Sequence, residues 1–329
     1  MAPACYWWAF EFVNWCTESM EIIRGLHNLQ SRHHGSVVTI GNFDGVHRGH
    51  QAVLRQVREK AVELDVQSML ICFEPQPKEY FDVFNAPARL TRFREKVELL
   101  AEHGVDLVLC MKFDKRSQTQ SAKQFMALLF IDIKASAIFV GDDFKFGHDR
   151  SGDFQLLRNT GETTLTEVTN MYTLTVDEKR VSSTRIRECL AEGEFILAES
   201  LLGHPYSISG KVVYGNQFGR TMGVPTINVQ LHRDRAPISG SYAVEVYGLE
   251  EIYQGVANVG VRPTLDEKTL KPILEVHIFD FDRDIYGQQV KVRFLHKIRD
   301  EIKFPDLHTL KVAIYGDIEK AQLFFKSAA

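Results

Sequence analysis

The chain has 329 residues, of which 25% are charged and 44% apolar, and its formal net charge at pH 7 is −4. This length suits two domains of ordinary size, and the composition is typical of a soluble globular protein. The slightly acidic balance gives no support for a nucleic-acid or acidic-membrane partner. Five scattered cysteines without a C-x-x-C pair argue for a reducing cytoplasm and against a disulfide framework or zinc site.

Residues 1–19 differ in composition from the rest of the chain. They are largely apolar and contain three tryptophans, but they have no Lys or Arg, and Glu11 and Asn14 interrupt the apolar run. The segment is too short and too polar to span a membrane, and it has no signal-peptide n-region. Because Met20 opens a sequence typical of a domain start, we interpret residues 1–19 as an unassigned extension from an upstream start site.

The most informative stretch is G-N-F-D-G-V-H-R-G-H, from Gly41 to His50. An apolar, β-branched run precedes it and an amphipathic stretch follows, which predicts strand, glycine loop and helix. Such a junction directs backbone N–H groups and the positive end of a helix at one point, which suits a phosphate. His47 and His50 would share one face of the first helical turn, where imidazoles can stabilise transition-state charge.

By itself H-x-G-H is weak and also fits a surface turn, but its flanking strand and helix favour a nucleotide site. Gly45 and Gly49 leave room for close approach of a nucleotide. The residues of this motif that we assign to nucleotide binding are Gly41, Asn42, Phe43, Asp44, Gly45 and Gly49.

The following residues alternate between predicted helices and strands. Helices are predicted over 53–64, 93–103 and 122–131, and strands over 68–73, 107–111 and 137–140. This alternation is typical of βαβ units around a parallel sheet. Ligands of such folds bind beyond the carboxyl ends of the strands, where the two glycine loops 41–50 and 141–147 fall.

S-S-T-R-I-R at 182–187 precedes a predicted helix that closes near Gly193. Ser183 or Thr184 is predicted to cap this helix, with Arg187 on the same side. A cap with a solvated arginine is the simpler interpretation. Together with the H-x-G-H loop, however, the hydroxyls and the arginine suit a triphosphate clamp.

Gly203-His204-Pro205 breaks the last helix of this region, and we place a domain boundary there, giving domains 20–204 and 205–329. Short, mostly alternating strand patterns then predict a small antiparallel barrel. They lie at 206–214, 242–247, 255–259, 274–279 and 290–295. An apolar stripe from Leu307 to Phe325 predicts a final helix that packs on the barrel.

The second domain contains one dense motif, G-R-T-M-G-V-P-T-I-N at 219–228. Its glycines free backbone N–H groups for phosphate, and Thr226 and Asn228 offer oxygen ligands that could hold Mg²⁺. A simple turn before a strand is the alternative. Glu275, in an otherwise apolar strand, is either a solvent-facing residue or a general base. The residues assigned to nucleotide binding here are Gly219, Arg220 and Gly223.

These motifs together resemble the prokaryotic bifunctional riboflavin kinase/FAD synthetase family, from about Met20 to the C-terminus. Further matching segments are G-D-D-F-K-F-G at 141–147, G-V-A-N-V-G-V-R-P-T at 255–264 and L-E-V-H-I-F-D-F at 274–281. The resemblance implies a Rossmann-like nucleotidyltransferase domain that makes FAD from FMN and ATP. It also implies a six-stranded barrel domain that makes FMN from riboflavin and ATP, with Mg²⁺.

The resemblance also implies roles for individual residues. His47 and His50 would stabilise the phosphoryl centre, Asp143 would help to place adenosine or flavin, and Glu275 would accept the riboflavin 5′-hydroxyl proton. The triphosphate would be held by Ser183, Thr184 and Arg187, and Mg²⁺ and phosphate by Thr226 and Asn228. Three residues depart from the family pattern without removing a catalytic group: Lys145, Ile227 and Ser241.

Two other functions are compatible with parts of the sequence. Class I aminoacyl-tRNA synthetases also use H-x-G-H, but they pair it with a lysine-rich loop and basic RNA-binding domains, and neither is visible. A flavin-binding regulator with decayed catalysis is the second alternative. The retention of His47, His50, Thr226, Asn228 and Glu275 argues against such decay.

Overall fold

The first part of the chain folds around a parallel β-sheet. The computed structural model describes residues 20–215, 219, 222–263 and 270–328. The six strands of this sheet are β1 (Glu21–Arg24), β2 (Val37–Ile40), β3 (Ser68–Glu74), β4 (Leu107–Lys112), β5 (Ala137–Gly141) and β8 (Glu167–Met171). Two short hairpins lie outside the sheet. One pairs β6 (Lys145–Phe146) with β7 (Gly152–Asp153), and the other pairs β9 (Thr175–Val176) with β10 (Lys179–Arg180).

Helices connect these strands. They are α1 (Arg48–Glu63), α2 (Pro77–Phe81), α3 (Phe93–Glu102), α4 (Lys115–Gln118), α5 (Ala122–Ala127), α6 (Phe154–Thr164), α7 (Ser183–Glu192) and α8 (Phe195–Leu202). Short 3₁₀ turns cover Leu26–Asn28 and Ser31–His33. The helix predicted over 122–131 is helical throughout, but it changes to a π-helical turn over Leu128–Asp132.

The strand order β1-β4-β3-β2-β5-β8 positions the candidate nucleotide loops. Strands β3 and β4 lie on one side of β2, and the chain then crosses to the other side, where β5 and β8 lie. The order therefore reverses between β2 and β5, whose carboxyl ends carry the 41–50 and 141–147 loops. Ligands of open parallel sheets bind at such a switch point.

The second part of the chain is a closed antiparallel barrel, as the sequence predicts. Its strands follow the order β11-β12-β15-β14-β13-β16. They are β11 (Ser207–Val213), β12 (Ile227–Val229), β13 (Gly240–Tyr247), β14 (Tyr253–Pro263), β15 (Leu270–Ile278) and β16 (Gln289–Arg299). The final helix, α9 (Leu307–Ala328), covers part of the outer barrel surface through Ala321 and Phe325.

Helices α7 and α8 share one hydrophobic core with the interior of the barrel. The Phe195 ring of α8 meets the Tyr242 ring edge-on at 5.7 Å and stacks on the Phe294 ring at 6.3 Å between centroids. Burial of such large aromatic side chains contributes strongly to folding. The two parts of the chain are therefore joined by apolar packing as well as by the connecting segment.

A buried charge pair reinforces this contact. Glu95 of α3 accepts hydrogen bonds from the Arg233 guanidinium at 2.8 Å and from the backbone N–H of Ser209 at 2.8 Å, and both donors belong to the barrel part. The Arg233 and Glu95 side chains are only 1% and 8% exposed. Solvent therefore screens this pair little.

Glu95→Gln is expected to lower the free energy of unfolding by about 3–5 kcal/mol, because it leaves the Arg233 charge buried and uncompensated. Urea denaturation measures the change. Glu98→Gln on the same helix removes an exposed pair with Arg94 and should cost less than about 1 kcal/mol. Equal losses of unfolding free energy in the two variants would show that the buried Glu95–Arg233 pair stabilises the fold no more than the exposed pair does.

Candidate active sites

His47 and His50 are brought into direct contact at the start of α1. His47 is the N-cap residue, and its Nδ1 accepts the backbone N–H of His50 at 3.3 Å. The two imidazole rings stack with 3.6 Å between centroids, and the Phe43 ring packs on His50 at 4.5 Å. Because His47 Nδ1 is an acceptor, the neutral ring carries its proton on Nε2. Nδ1 of His50 is buried and has no hydrogen-bond partner among the described residues.

Both imidazoles are neutral at physiological pH. Burial lowers the pKa of His47 to about 4, and the nearby charges of Arg180 and Arg187 add to the effect. Burial likewise holds the pKa of His50 well below its usual value, with further lowering by His47 and Lys96. A neutral imidazole presents one N–H, which suits hydrogen bonding to a phosphoryl oxygen.

This depressed pKa makes stability pH-dependent. Between about pH 6.5 and 4 the unfolded chain binds a proton at position 47 that the folded chain does not, so unfolding becomes easier as the pH falls. From pH 7 to 5, wild type should lose about 2 kcal/mol of unfolding free energy more than His47→Gln. Urea denaturation at both pH values measures this difference. Parallel losses in the two proteins would contradict a neutral, buried His47.

Asp44 holds the glycine loop in place. Its buried carboxylate accepts the backbone N–H groups of Leu90 and Thr91 at 3.1 and 3.0 Å and forms an ion pair with Arg187. Its carbonyl accepts the Ser183 hydroxyl at 3.0 Å. Nucleotide contact by Asp44 stays a prediction; its side chain and carbonyl link the loop to α7 and to residues 90–91.

Glycines shape the loop at two points. Gly45 has φ 84°, and a Cβ there would lie 2.8 Å from the Leu90 side chain, so a larger residue would be strained and crowded at this position. A Cβ at Gly49 would lie 3.1 Å from the His47 ring, which packs over this position. Val46, a β-branched residue, has φ 41°. Such backbone strain is concentrated at functional sites. Gly41 directly follows β2, and Asn42 comes next in the loop.

The predicted cap of α7 is wrong by one residue. Ser182 is the N-cap, and its hydroxyl accepts the backbone N–H of Arg185 at 3.3 Å. Ser183 is already the first helical residue, and its hydroxyl turns to Asp44, while Thr184 is exposed. Arg187 does face the glycine loop, since it contacts Asp44 and donates from Nε to the Ala88 carbonyl at 2.5 Å.

Two contacts at the same edge of the sheet were not predicted from the sequence, although Asp143 itself was assigned to the site. Asp143, after β5, pairs with Arg180 of the β9–β10 hairpin at 3.1 Å. An aromatic cluster lies beyond the ends of β3 and β4, where the Tyr80 and Phe81 rings meet Phe113 edge-on at 5.4 and 5.7 Å. The Phe81 side chain is 60% exposed. Only the tertiary fold brings these residues to the edge of the sheet that carries the histidine loop.

The barrel carries a second row of candidate residues on its outer face. Asn228 of β12 and Asn258 of β14 flank Glu275 of β15 in register. Leu274 and Val276 point into the core, so the half-buried Glu275 points outward. Polar side chains flank this carboxylate on both neighbouring strands, and its role as a solvent-facing residue or a general base stays a prediction.

Thr226 and Asn228 lie against two glycines. A Cβ at Gly219 would be 3.1 Å from the Thr226 hydroxyl, and a Cβ at Gly215 would be 2.2 Å from the Asn228 amide. Gly223 has φ 81° and belongs to the same turn. Arg220 lies outside the described residues. Within those residues there is no group of three His, Cys, Asp or Glu side chains placed to hold a metal ion.

Comparison with known proteins follows the same division of the chain. Residues 29–185 match the FAD synthetase family model, and residues 202–325 match the riboflavin kinase model. The bifunctional riboflavin kinase/FMN adenylyltransferase of Haemophilus influenzae is 48% identical over 310 residues, covering 94% of this chain and 100% of that protein. This chain belongs to the bifunctional riboflavin kinase/FMN adenylyltransferase family.

Other relatives support this family membership. The Escherichia coli K12 bifunctional riboflavin kinase/FMN adenylyltransferase is 48% identical, covering 93% of this chain and 98% of its own length. A crystal structure described as a macrolide-efflux protein from Streptococcus pneumoniae superposes with a TM-score of 0.74 at 31% identity, covering 91% of this chain and 97% of that one. The fold predicted from the sequence is confirmed, and nothing supports a regulator without catalysis.

The chain is thus an enzyme with riboflavin kinase and FMN adenylyltransferase activities. The region that matches the FAD synthetase model contains the histidine loop, and the region that matches the riboflavin kinase model contains Glu275. No helix in the described ranges is long and apolar enough to cross a membrane.

Proposed function

We propose that AMP is transferred to FMN at the carboxyl edge of the sheet, between β2 and β5. A phosphate oxygen of FMN attacks the α-phosphorus of ATP, the bond to the bridging oxygen breaks, and pyrophosphate leaves. The stacked His47 and His50 donate N–H groups to the oxygens on which negative charge increases. The single observation that carries this proposal is the buried, unpartnered Nδ1 of His50 beside the N-terminus of α1.

The surrounding groups hold the substrates. The N-terminal turn of α7, with Ser183, Thr184 and Arg187, lies on the other side of the loop and suits the triphosphate. Asp143 and Arg180 form the rim of this site. The exposed aromatic cluster of Tyr80, Phe81 and Phe113 offers an apolar surface for the flavin ring. These parts act mainly by positioning the two reactants.

In the barrel, we propose that Glu275 takes the proton of the riboflavin 5′-hydroxyl as that oxygen attacks the γ-phosphorus of ATP, releasing ADP. Thr226 and Asn228 would hold Mg²⁺ through hard oxygen donors, the type this ion prefers. The two glycines beside these donors, Gly215 and Gly219, support a metal site, because a side chain at either position would fill the space next to Asn228 or Thr226. When bound, the ion neutralises phosphate charge.

Incubation with riboflavin, ATP and Mg²⁺, followed by chromatography, tests the two activities together. We expect FMN to form first and FAD to follow. Unchanged riboflavin in the presence of folded protein would overturn the proposal. The substrates are small and water-soluble, so we also propose a cytoplasmic location with no nucleic-acid or membrane partner. Fractionation of cells that produce the full chain checks the location.

A further inference from the structure

A cleft of about 680 Å³ lies between the sheet domain and the barrel. On the sheet side its walls include Glu79, Ala88 and Arg89, and on the barrel side Tyr214, Asn228 and Arg235. This volume is in the range of pockets that hold ligands of cofactor size, and domain interfaces are frequent places for them. Apart from Asn228 at its barrel wall, the proposed function gives the lining of this interdomain cleft no role.

The interdomain cleft borders the proposed kinase centre directly and is linked to the histidine loop through Arg187. At the barrel wall, Asn228 is the neighbour of Glu275 across the strands. At the sheet wall, the carbonyl of Ala88 accepts the Nε–H of Arg187 at 2.5 Å, and Arg187 in turn contacts Asp44 of the histidine loop. A molecule in the cleft would therefore lie between the place where FMN is made and the place where it is used.

The cleft lining carries charges of both signs, including Glu79 and Asp234, so anion binding depends on an arginine that has no acidic partner. Arg89 is paired with Glu74 and Glu79, and the Arg233 guanidinium with Glu95. Arg235 is different: its Nη1 donates only to the carbonyls of Phe84 and Ala86, at 3.0 and 3.4 Å, and it meets no carboxylate in the described part of the chain. Its remaining N–H groups and its charge are available to a phosphate.

An aromatic surface lies on the same wall. Tyr214 is 73% exposed and stacks on Tyr286 with 3.8 Å between ring centroids. The stacked pair fixes the orientation of the exposed face, on which a planar ring can lie. A stacking surface and an arginine without an acidic partner are the two elements that a planar aromatic ring carrying a phosphate requires.

We propose that the interdomain cleft is a transit site for FMN, which passes through it from the barrel to the histidine loop without mixing fully with solvent. The proposal rests on the proposed function of the two centres. Retention of FMN near the histidine loop raises the local concentration of FMN there, so the transit site would speed FAD formation.

An isotope-dilution experiment tests the transit directly. The full-length enzyme receives radiolabelled riboflavin, ATP, Mg²⁺ and about a tenfold excess of unlabelled FMN over riboflavin, enough to dominate the free pool. The specific radioactivity of the first FAD formed is compared with that of free FMN. We expect the FAD value to exceed the pool value several-fold. Equal values throughout would overturn the transit site, whereas absence of FMN and FAD would instead overturn the proposed function.

Variants of Arg235 connect the result to the cleft. Arg235→Glu should reduce the ratio of FAD to pool radioactivity to about one, since it replaces the phosphate-attracting charge by a repelling one. Arg235→Lys keeps the charge and should retain most of the excess. Arg158→Glu reverses an exposed arginine on α6, outside the cleft, and should leave the ratio unchanged. If Arg235→Glu gives the wild-type ratio, FMN does not pass along this cleft.

Discussion

His50→Ala is expected to reduce the rate of FAD formation from supplied FMN about a hundredfold, while riboflavin is still phosphorylated to FMN. Loss of one donor that stabilises transition-state charge costs about 3 kcal/mol, which corresponds to this factor. In the structure the His50 ring packs between the His47 and Phe43 rings, which fixes the orientation of its two ring nitrogens. Separate assays with FMN and with riboflavin as the starting flavin measure the two rates.

A matched control separates lost chemistry from lost structure. His34 lies just before β2, at the opposite edge of the sheet from the histidine loop, and His34→Ala should leave both rates near normal. Thermal unfolding of both variants reports on folding. A normal rate of FAD formation by folded His50→Ala would show that adenylyl transfer takes place elsewhere.

Local sequence was sufficient to predict the structural unit at the centre of the first candidate site. The β2–loop–α1 unit depends on neighbouring residues: an apolar strand, glycines where the backbone turns and an amphipathic helix. The contact between His47 and His50 follows from their spacing in the first turn. The barrel was predictable for a similar reason, because its strands alternate between inward apolar and outward polar residues.

Contacts between distant segments could not be predicted in this way. The choice of Ser182 over Ser183 as the α7 cap depends on Asp44, which is 139 residues from Ser183 in the sequence and accepts its hydroxyl. β8, with the sequence E-V-T-N-M, is a mostly polar edge strand without a clear apolar pattern. The Glu95–Arg233 pair joins residues that are 138 positions apart. These features depend on tertiary packing, which overrides local propensity.

Glu275→Gln is expected to impair the riboflavin kinase reaction. It should lower the rate of FMN formation from riboflavin by about a hundred- to ten-thousandfold. Glutamine keeps the size of the side chain but cannot accept the 5′-hydroxyl proton. The structure supports the substitution as a test, because Glu275 points away from the barrel core and its neighbours Leu274 and Val276 keep their packing. The variant should therefore fold.

The same preparation provides the internal standard for this prediction. Supplied FMN should still be converted to FAD, because the histidine loop belongs to the other part of the chain, and this activity reports that the variant is intact. Glu319→Gln, an exposed carboxylate on α9, should leave both activities unchanged. A general base also affects the pH profile, so any residual kinase activity of Glu275→Gln should rise with pH as hydroxide replaces the lost carboxylate. Near-normal riboflavin phosphorylation by Glu275→Gln would remove the general-base role and leave the residue a structural one on the barrel surface.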